Sequence, residues 1–115
     1  MCPRLIRMKP ASNVAQSAQL REFLDNCNNE WLKGRTEEAL SELKAHYETG
    51  TKVQKDKWPR YYRKQWGIKN LFVHRLGPDW RLTYTLVSDA VGIAVFCLEI
   101  LPHREYDKRF GYHTS

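Results

Sequence analysis

The motif Trp80-Arg81-Leu82-Thr83-Tyr84 is followed, after an apolar run, by His103-Arg104-Glu105-Tyr106, and these two segments tell more about the fold than any others in the chain. The first segment alternates apolar with polar side chains, which predicts a half-buried strand with its apolar residues on the core face. Arg81 and Thr83 would then face the other side. The second segment places an imidazole, a guanidinium and a phenol close together where a strand is expected to end. Cationic donors beside titratable groups are what phosphodiester chemistry needs.

The surrounding sequence predicts two hairpins in the second half of the chain. Strands are expected at residues 68–76, 80–87 and 91–101, and the last is apolar almost throughout, which indicates a central strand buried on both faces. If Gly77 and Pro78 are the two turn residues of the first hairpin, Arg81 lies opposite His74. The second hairpin would bring Arg81 near Leu98. The segment that follows residue 101 can therefore reach Arg81.

The first half of the chain predicts a short strand at residues 4–8 and then two helices. Ser12 or Asn13 is expected to cap the first helix, which would end at residues 33–35 around Gly34. Thr36 is expected to cap the second helix, and Gly50 would stop it. The short connection favours a helical hairpin, followed by a basic loop over residues 52–64.

Length and composition fit one domain spanning residues 1–115. We expect neither a membrane span nor a signal peptide, which makes the cytoplasm the default compartment. The three cysteines are odd in number and lack metal-ligand spacing, so we expect no disulfide framework, no structural zinc and no cofactor. Cys97, inside the apolar run, is expected to be a packed thiol.

The net charge of +6 comes entirely from the second part of the chain. Residues 52–64 concentrate it, with aromatic side chains interleaved. Basic groups neutralise phosphates and aromatic rings stack on unpaired bases, so this pattern favours nucleic acid as a partner. An acidic protein partner and a merely solvated loop are the alternatives. The basic residues of the segment are Lys52, Lys55, Lys57, Arg60, Arg63 and Lys64.

In this order of elements the chain resembles the RelE/ParE superfamily of toxins from type II toxin–antitoxin systems. The resemblance rests on the Trp80–Tyr84 strand motif, the apolar strand after it and the closing His103–Tyr112 segment. It implies an α+β fold in which a helical hairpin packs on a small, mostly antiparallel β-sheet. For the RelE branch it implies a cytoplasmic mRNA interferase, an endoribonuclease that inhibits translation at the ribosome. There the 2′-hydroxyl of the mRNA attacks the adjacent phosphate without a metal, and a cognate antitoxin neutralises the toxin in a hetero-oligomer.

Carried over by position, the resemblance gives each catalytic candidate a role. Arg81 would stabilise the charge of the phosphorane-like transition state, and Arg104 would do the same or hold the scissile phosphate. His103 or Tyr106 would transfer protons or stack on a base. The expected RNA contacts are Lys52, Lys55, Lys57, Arg60, Arg63, Lys64, Lys108 and Arg109.

Two other functions fit the same sequence. The ParE branch shares the fold but poisons DNA gyrase and needs no nuclease site, and a plain RNA-binding domain needs no toxicity. Convergence of His103, Arg104 and Tyr106 on Arg81, within reach of one phosphate, is the feature that favours the nuclease.

Overall fold

The computed structural model describes residues 8–111, and its strands form one five-stranded sheet in the order β1-β5-β4-β3-β2. The parallel pair is β1 with β5, and the other neighbouring strands are antiparallel. The predicted α+β architecture with a mostly antiparallel sheet is confirmed. In chain order the elements are β1 (Val14–Gln16), α1 (Ala18–Asp25), α2 (Glu30–Ala45), β2 (Thr51–Lys52), a 3₁₀ turn (Lys55–Lys57), α3 (Arg60–Trp66), β3 (Phe72–Arg75), β4 (Trp80–Ser88), β5 (Ile93–Pro102) and α4 (His103–Phe110).

The predicted β4–β5 hairpin is confirmed. Its turn is closed by Asp89, whose carboxylate accepts the backbone N–H groups of Val91 and Gly92 at 2.9 and 2.7 Å. Side chains of an Asp in such a turn satisfy backbone donors that the strands leave unpaired. The hairpin positions β5 between β4 and β1, as its apolar sequence predicted.

Both predicted registers around Arg81 are wrong. The β3–β4 loop has three residues between Leu76 and Trp80, whose backbone groups bond at 3.0 Å, so Arg81 lies opposite Arg75 and not His74. The turn of the β4–β5 hairpin lies later than expected, since Ser88 pairs with Ile93, and a bulge between Thr83 and Tyr84 shifts the register by one residue more. Together these two differences place Arg81 opposite Leu101 and not Leu98. The end of β5, and the helix that follows it, therefore lie directly beside Arg81.

The helix boundaries in the first half also differ from the prediction. Residues 14–16 form β1, and Ser17, not Ser12 or Asn13, caps α1 by accepting the Leu20 N–H at 3.0 Å. Helix α2 starts after its cap Asn29 and runs through Gly34 without a break.

The predicted second-helix cap at Thr36 is wrong as well. Thr36 lies inside α2, and its hydroxyl donates to the Leu32 carbonyl at 2.7 Å. The predicted strand at residues 4–8 lies outside the described residues except for Met8, which is in no strand. Residues 52–64, predicted as a loop, contain the 3₁₀ turn and most of α3.

Helices cover both faces of the sheet. The helical hairpin α1–α2 packs on one face, against side chains that include Leu82 and Tyr84. On the other face, α3 and α4 contribute Tyr62 and Phe110 to a second core around Leu98. The face that carries Arg81 is therefore covered, and Arg81 is only 7% exposed, whereas the sequence pattern predicted it toward solvent. No helix among residues 8–111 is long and apolar enough to cross a membrane.

Candidate nucleic-acid interface

Arg81 is held at the start of β4 by hydrogen bonds to the protein. Its Nη2 donates to His103 Nδ1 at 3.2 Å, and its Nη1 points at carbonyl oxygens of the turn before β4. Burial lowers the pKa of the Arg81 guanidinium, and the charge of nearby Arg75 adds to that shift, yet an arginine stays cationic in proteins. The three carbonyl acceptors belong to Gly77, Pro78 and Trp80, at 3.2, 3.3 and 3.1 Å.

His103 links Arg81 to a buried carboxylate. Its backbone N–H donates to the Asp79 carbonyl at 2.6 Å, which joins the first residue of α4 to the β3–β4 loop. Its Nε2 lies 3.2 Å from Asp107 Oδ2, one turn along the same helix. Asp107 is 6% exposed, whereas the imidazole is about half exposed.

A groove of about 430 Å³ opens beside Arg81, and the charged residues that line it within the described part of the chain are all basic. Arg75 and Arg81 lie directly opposite each other on β3 and β4, and two lysines join them from β2 and the 3₁₀ turn. Like charges in facing strand positions repel, so a bound anion would relieve the repulsion. The lining residues of the groove are Thr51, Lys52, Val53, Gln54, Lys57, Val73, Arg75, Arg81 and Tyr106.

Three of the four predicted catalytic residues meet, and one does not. Tyr106 lines the groove, and the Arg81 guanidinium carbon lies 5.8 Å from the centre of its ring, in cation–π range. His103 contacts Arg81 but does not line the groove. Arg104 is exposed and lines a separate hollow of about 470 Å³ with Asp79 and other residues around the start of α4.

A second groove, of about 600 Å³, continues the first. The two share Lys52, Val53 and Gln54. Lys55 and Lys69 add positive charge to the second groove, and the indole of Trp58 lines it, so single-stranded nucleic acid would find cations and a ring there. Its remaining lining residue is Asn70.

The remaining predicted RNA contacts lie outside both grooves, and three of them are engaged with the protein. Arg63 donates to the Lys55 carbonyl at 3.0 Å and lies 5.4 Å above the Trp58 ring. Arg109 lies 3.5 Å from the Glu99 carboxylate and 4.5 Å from the centre of the Tyr61 ring. Lys108 is exposed and lies 3.9 Å from the Glu105 carboxylate. Arg60, Arg63 and Lys64 are exposed as well.

A buried polar network ties α3 and α4 to the sheet behind the groove. Glu99 on β5 is 4% exposed, and its carboxylate accepts hydrogen bonds from Tyr62 and, at 3.1 Å, from Gln19. Burial raises the pKa of Glu99, while the Tyr62 hydrogen bond and Arg109 oppose the rise. The Tyr62 hydroxyl also contacts Thr83 Oγ1 at 3.1 Å. This network fixes α4, which carries His103 and Tyr106.

The sequence reasoning missed three residues of this region. Arg75 could have been found by allowing a three-residue turn, since that register places it opposite Arg81. Lys69 lies outside the basic segment 52–64 in the sequence, and only the folded chain places it at the second groove. Asp107 has the i, i+4 spacing to His103 that brings two side chains together on a helix, but no local pattern indicated a helix there.

The described residues offer no evident metal centre, since residues 8–111 contain no group of three or more His, Cys, Asp or Glu side chains placed to hold an ion. Cys97 is a free, buried thiol whose pKa burial raises to about 12.

A two-helix layer on a mostly antiparallel sheet, followed by the helix α4, defines a RelE-like fold, and a solved structure has a similar fold. The chain is similar to the crystal structure of the archaeal RelE–RelB complex from Pyrococcus horikoshii OT3, with a TM-score of 0.54 and 19% sequence identity. The match covers 79% of this chain and 93% of that chain. No protein-family model matches the sequence, and no curated protein matches it significantly.

Proposed function

We propose that this chain is a RelE-like toxin that cuts mRNA on the ribosome and acts in the cytoplasm. The observation that carries the proposal is the cationic groove, in which Arg81 and Arg75 face each other beside Tyr106. The groove has the charge that a phosphodiester requires, and the RelE-like fold agrees with the sequence motif around Arg81.

The chemistry is an in-line attack by the 2′-hydroxyl of the mRNA on the adjacent phosphorus. The 2′-hydroxyl gives its proton to a base, and the bond between phosphorus and the 5′-oxygen of the next nucleotide breaks. That oxygen takes a proton from water, and a 2′,3′-cyclic phosphate remains. Negative charge grows on the non-bridging oxygens, so guanidinium donors fixed before the reaction stabilise the transition state more than the substrate. Arg81 is such a fixed donor, because three carbonyls and His103 hold its orientation.

Proton transfer falls to Tyr106 more readily than to His103. The two ring nitrogens of His103 already face Arg81 and Asp107, at 3.2 Å each, so neither is directed at the groove. Tyr106 lines the groove itself, next to the Arg81 cation. Tyr106 would therefore take the proton of the 2′-hydroxyl.

The partners of this proposal are the ribosome with its mRNA, and a cognate antitoxin. The second groove, with Lys55, Lys69 and Trp58, would take the mRNA strand next to the reacting phosphate. The exposed cations of α3 and α4 would face ribosomal RNA. The antitoxin part is supported by the likeness to a RelE that was solved in complex with RelB.

The test is to induce the protein in cells and map the 5′ ends of mRNA fragments. We expect cuts inside translated codons, and none in cells that express Arg81→Ala. Arg21→Ala is the matched control, because it removes an exposed arginine from α1, outside both grooves. Cuts that are absent with the wild type, or that persist at full level with Arg81→Ala, would reject the nuclease.

A ParE-like inhibitor of DNA gyrase is the second candidate, and two observations favour it. Arg81 already donates four hydrogen bonds to the protein, as a purely structural arginine does, and Arg104 lies away from the groove. A gyrase supercoiling assay separates the two functions. Inhibition by wild type and by Arg81→Ala alike, with intact mRNA, would replace the nuclease by the gyrase inhibitor.

A further inference from the structure

Asp107 is a buried acid next to the site, and its position is costly without a partner. It lies on α4 with 6% exposure, and its Oδ2 makes no hydrogen bond of good geometry with the described residues. A buried carboxylate oxygen without a donor destabilises a fold, so such a group usually has a partner or a function. The Nε2 atom of His103 lies 3.2 Å from that oxygen.

The protonation of His103 follows from its other neighbour. A guanidinium can only donate, so the 3.2 Å contact from Arg81 Nη2 requires an unprotonated His103 Nδ1. The imidazole proton must then be on Nε2, the atom that faces Asp107. A proton on Nδ1 would place two N–H donors, that of Nδ1 and that of the Arg81 guanidinium, against each other. It would also point the lone pair of Nε2 at the Asp107 carboxylate.

We propose that Asp107 is a positioning residue that holds His103 in its Nε2–H form, so that Nδ1 accepts from and orients the Arg81 guanidinium. The chain of contacts runs from a buried carboxylate on α4 through the first residue of that helix to the cation of β4. Other charged or titratable groups near His103 and Arg81 are Asp79 in the β3–β4 loop, Arg75 on β3, and Arg104, Glu105 and Tyr106 on α4.

The proposal rests on the proposed nuclease only for its effect on rate. Placing a reacting group about 1 Å from its productive position can lower a rate by about 10²-fold. Asp107→Ala should therefore slow mRNA cleavage by up to that factor with little change in the KM for programmed ribosomes.

The decisive test uses ¹⁵N-histidine protein and reads the tautomer of His103 by NMR, whatever the activity. His103→Gln identifies the signal by its disappearance, and Glu105→Gln, an exposed carboxylate on the same helix, is the matched control. We expect a pure Nε2–H form in the wild type and in the control, and a mixture of tautomers in Asp107→Ala and Asp107→Asn. An Nδ1–H form in the wild type, or an unchanged spectrum in Asp107→Ala, would overturn the proposal.

A mutant cycle separates positioning from a general structural effect. If Asp107 acts through His103, Asp107→Ala should slow cleavage in the wild type and have no further effect in a His103→Ala background. Additive losses would overturn the positioning role even if the tautomer result agrees. If no variant and no wild type cleaves RNA while the NMR result holds, the nuclease fails and the tautomer assignment stands.

Discussion

Removing the Tyr62 hydroxyl should destabilise the protein strongly, and more at high pH than at low pH. Burial and the neighbouring Glu99 raise the pKa of the Tyr62 hydroxyl, so it stays protonated and remains a donor to the carboxylate. A hydrogen bond to a charged group contributes about 1.5–3 kcal/mol. For a chain of this size 1 kcal/mol shifts the melting temperature by about 4 °C, so Tyr62→Phe should lower it by roughly 6–12 °C.

The matched control is the same substitution at the neighbouring residue. The Tyr61 hydroxyl donates to the neutral Gln19 side chain at 2.8 Å, in a partly buried position. A neutral hydrogen bond contributes about 0.5–1.5 kcal/mol, which corresponds to roughly 2–6 °C. Thermal unfolding followed by circular dichroism measures both variants.

The pH dependence follows from the direction of the Glu99 shift. Burial raises the folded-state pKa of Glu99 above its unfolded value, so the protein loses stability as pH rises through the folded pKa. The Tyr62 hydrogen bond lowers this pKa and limits the loss. Without that bond the loss is larger, so the difference in melting temperature between wild type and Tyr62→Phe should widen from about pH 4 to about pH 8. A difference in melting temperature that narrows over this range, or a Tyr61→Phe variant that is equally unstable, would show that the Tyr62–Glu99 hydrogen bond is not the cause.

Further outcomes follow from other parts of the structure. Arg81→Ala should slow mRNA cleavage by about 10²–10³-fold, the usual effect of losing one charge-stabilising donor; Arg75→Ala, whose side chain is exposed, should slow cleavage without a change in melting temperature. Gly34→Ala should stabilise α2 by about 0.5–1 kcal/mol, because a Cβ there meets nothing within 4 Å. Gly50→Ala should destabilise by about 1–3 kcal/mol, because its Cβ would lie 2.7 Å from the Val73 carbonyl oxygen, and calorimetry measures both glycine variants. The Lys55→Ala/Lys69→Ala double variant should bind a single-stranded oligoribonucleotide more weakly, whereas Arg21→Ala should bind normally. The slope of log affinity against log salt concentration should become shallower by about 0.7 for each phosphate that is no longer neutralised. An unchanged slope would show that the second groove does not bind RNA.

The two long strands were predictable because their pattern is local. Residues 80–87 alternate and residues 91–101 are apolar, and these local features predict two strands that pair. The burial of Arg81, Thr83 and Thr85 was not predictable in this way, because it depends on the helices that cover their face of the sheet. Registers were not predictable to the residue. A three-residue turn before Trp80 and a bulge after Thr83 each move Arg81 along its partner strand, and neither has a unique sequence signal.

The helices illustrate how tertiary packing overrides local signals. Gly34 and Thr36 read as a helix end and a new cap, yet α2 continues through both because Leu32, Ala39 and Leu43 pack against the sheet. In the same way the charged segment before Trp66 reads as a loop, although α3 forms there around a fully buried Tyr62.

The residues of the candidate site could be proposed from the sequence more easily than their geometry. The cluster of His103 and Tyr106 near Arg81 followed from the end of a strand that pairs with β4. The rest of the geometry depends on α4, a helix that no local pattern indicated. Together with α3 it covers Arg81, and it places Arg104 at a separate hollow and Asp107 against His103.

In the proposed function, the cationic groove promotes attack by the 2′-hydroxyl of mRNA on the ribosome. The most direct test uses purified protein and ribosomes programmed with a short message, made either all-ribose or with a single 2′-deoxy nucleotide at the mapped cut site. We expect the all-ribose message to be cut and to end in a 2′,3′-cyclic phosphate, while the deoxy message stays intact. Cleavage of the deoxy message, or an uncut all-ribose message, would contradict it.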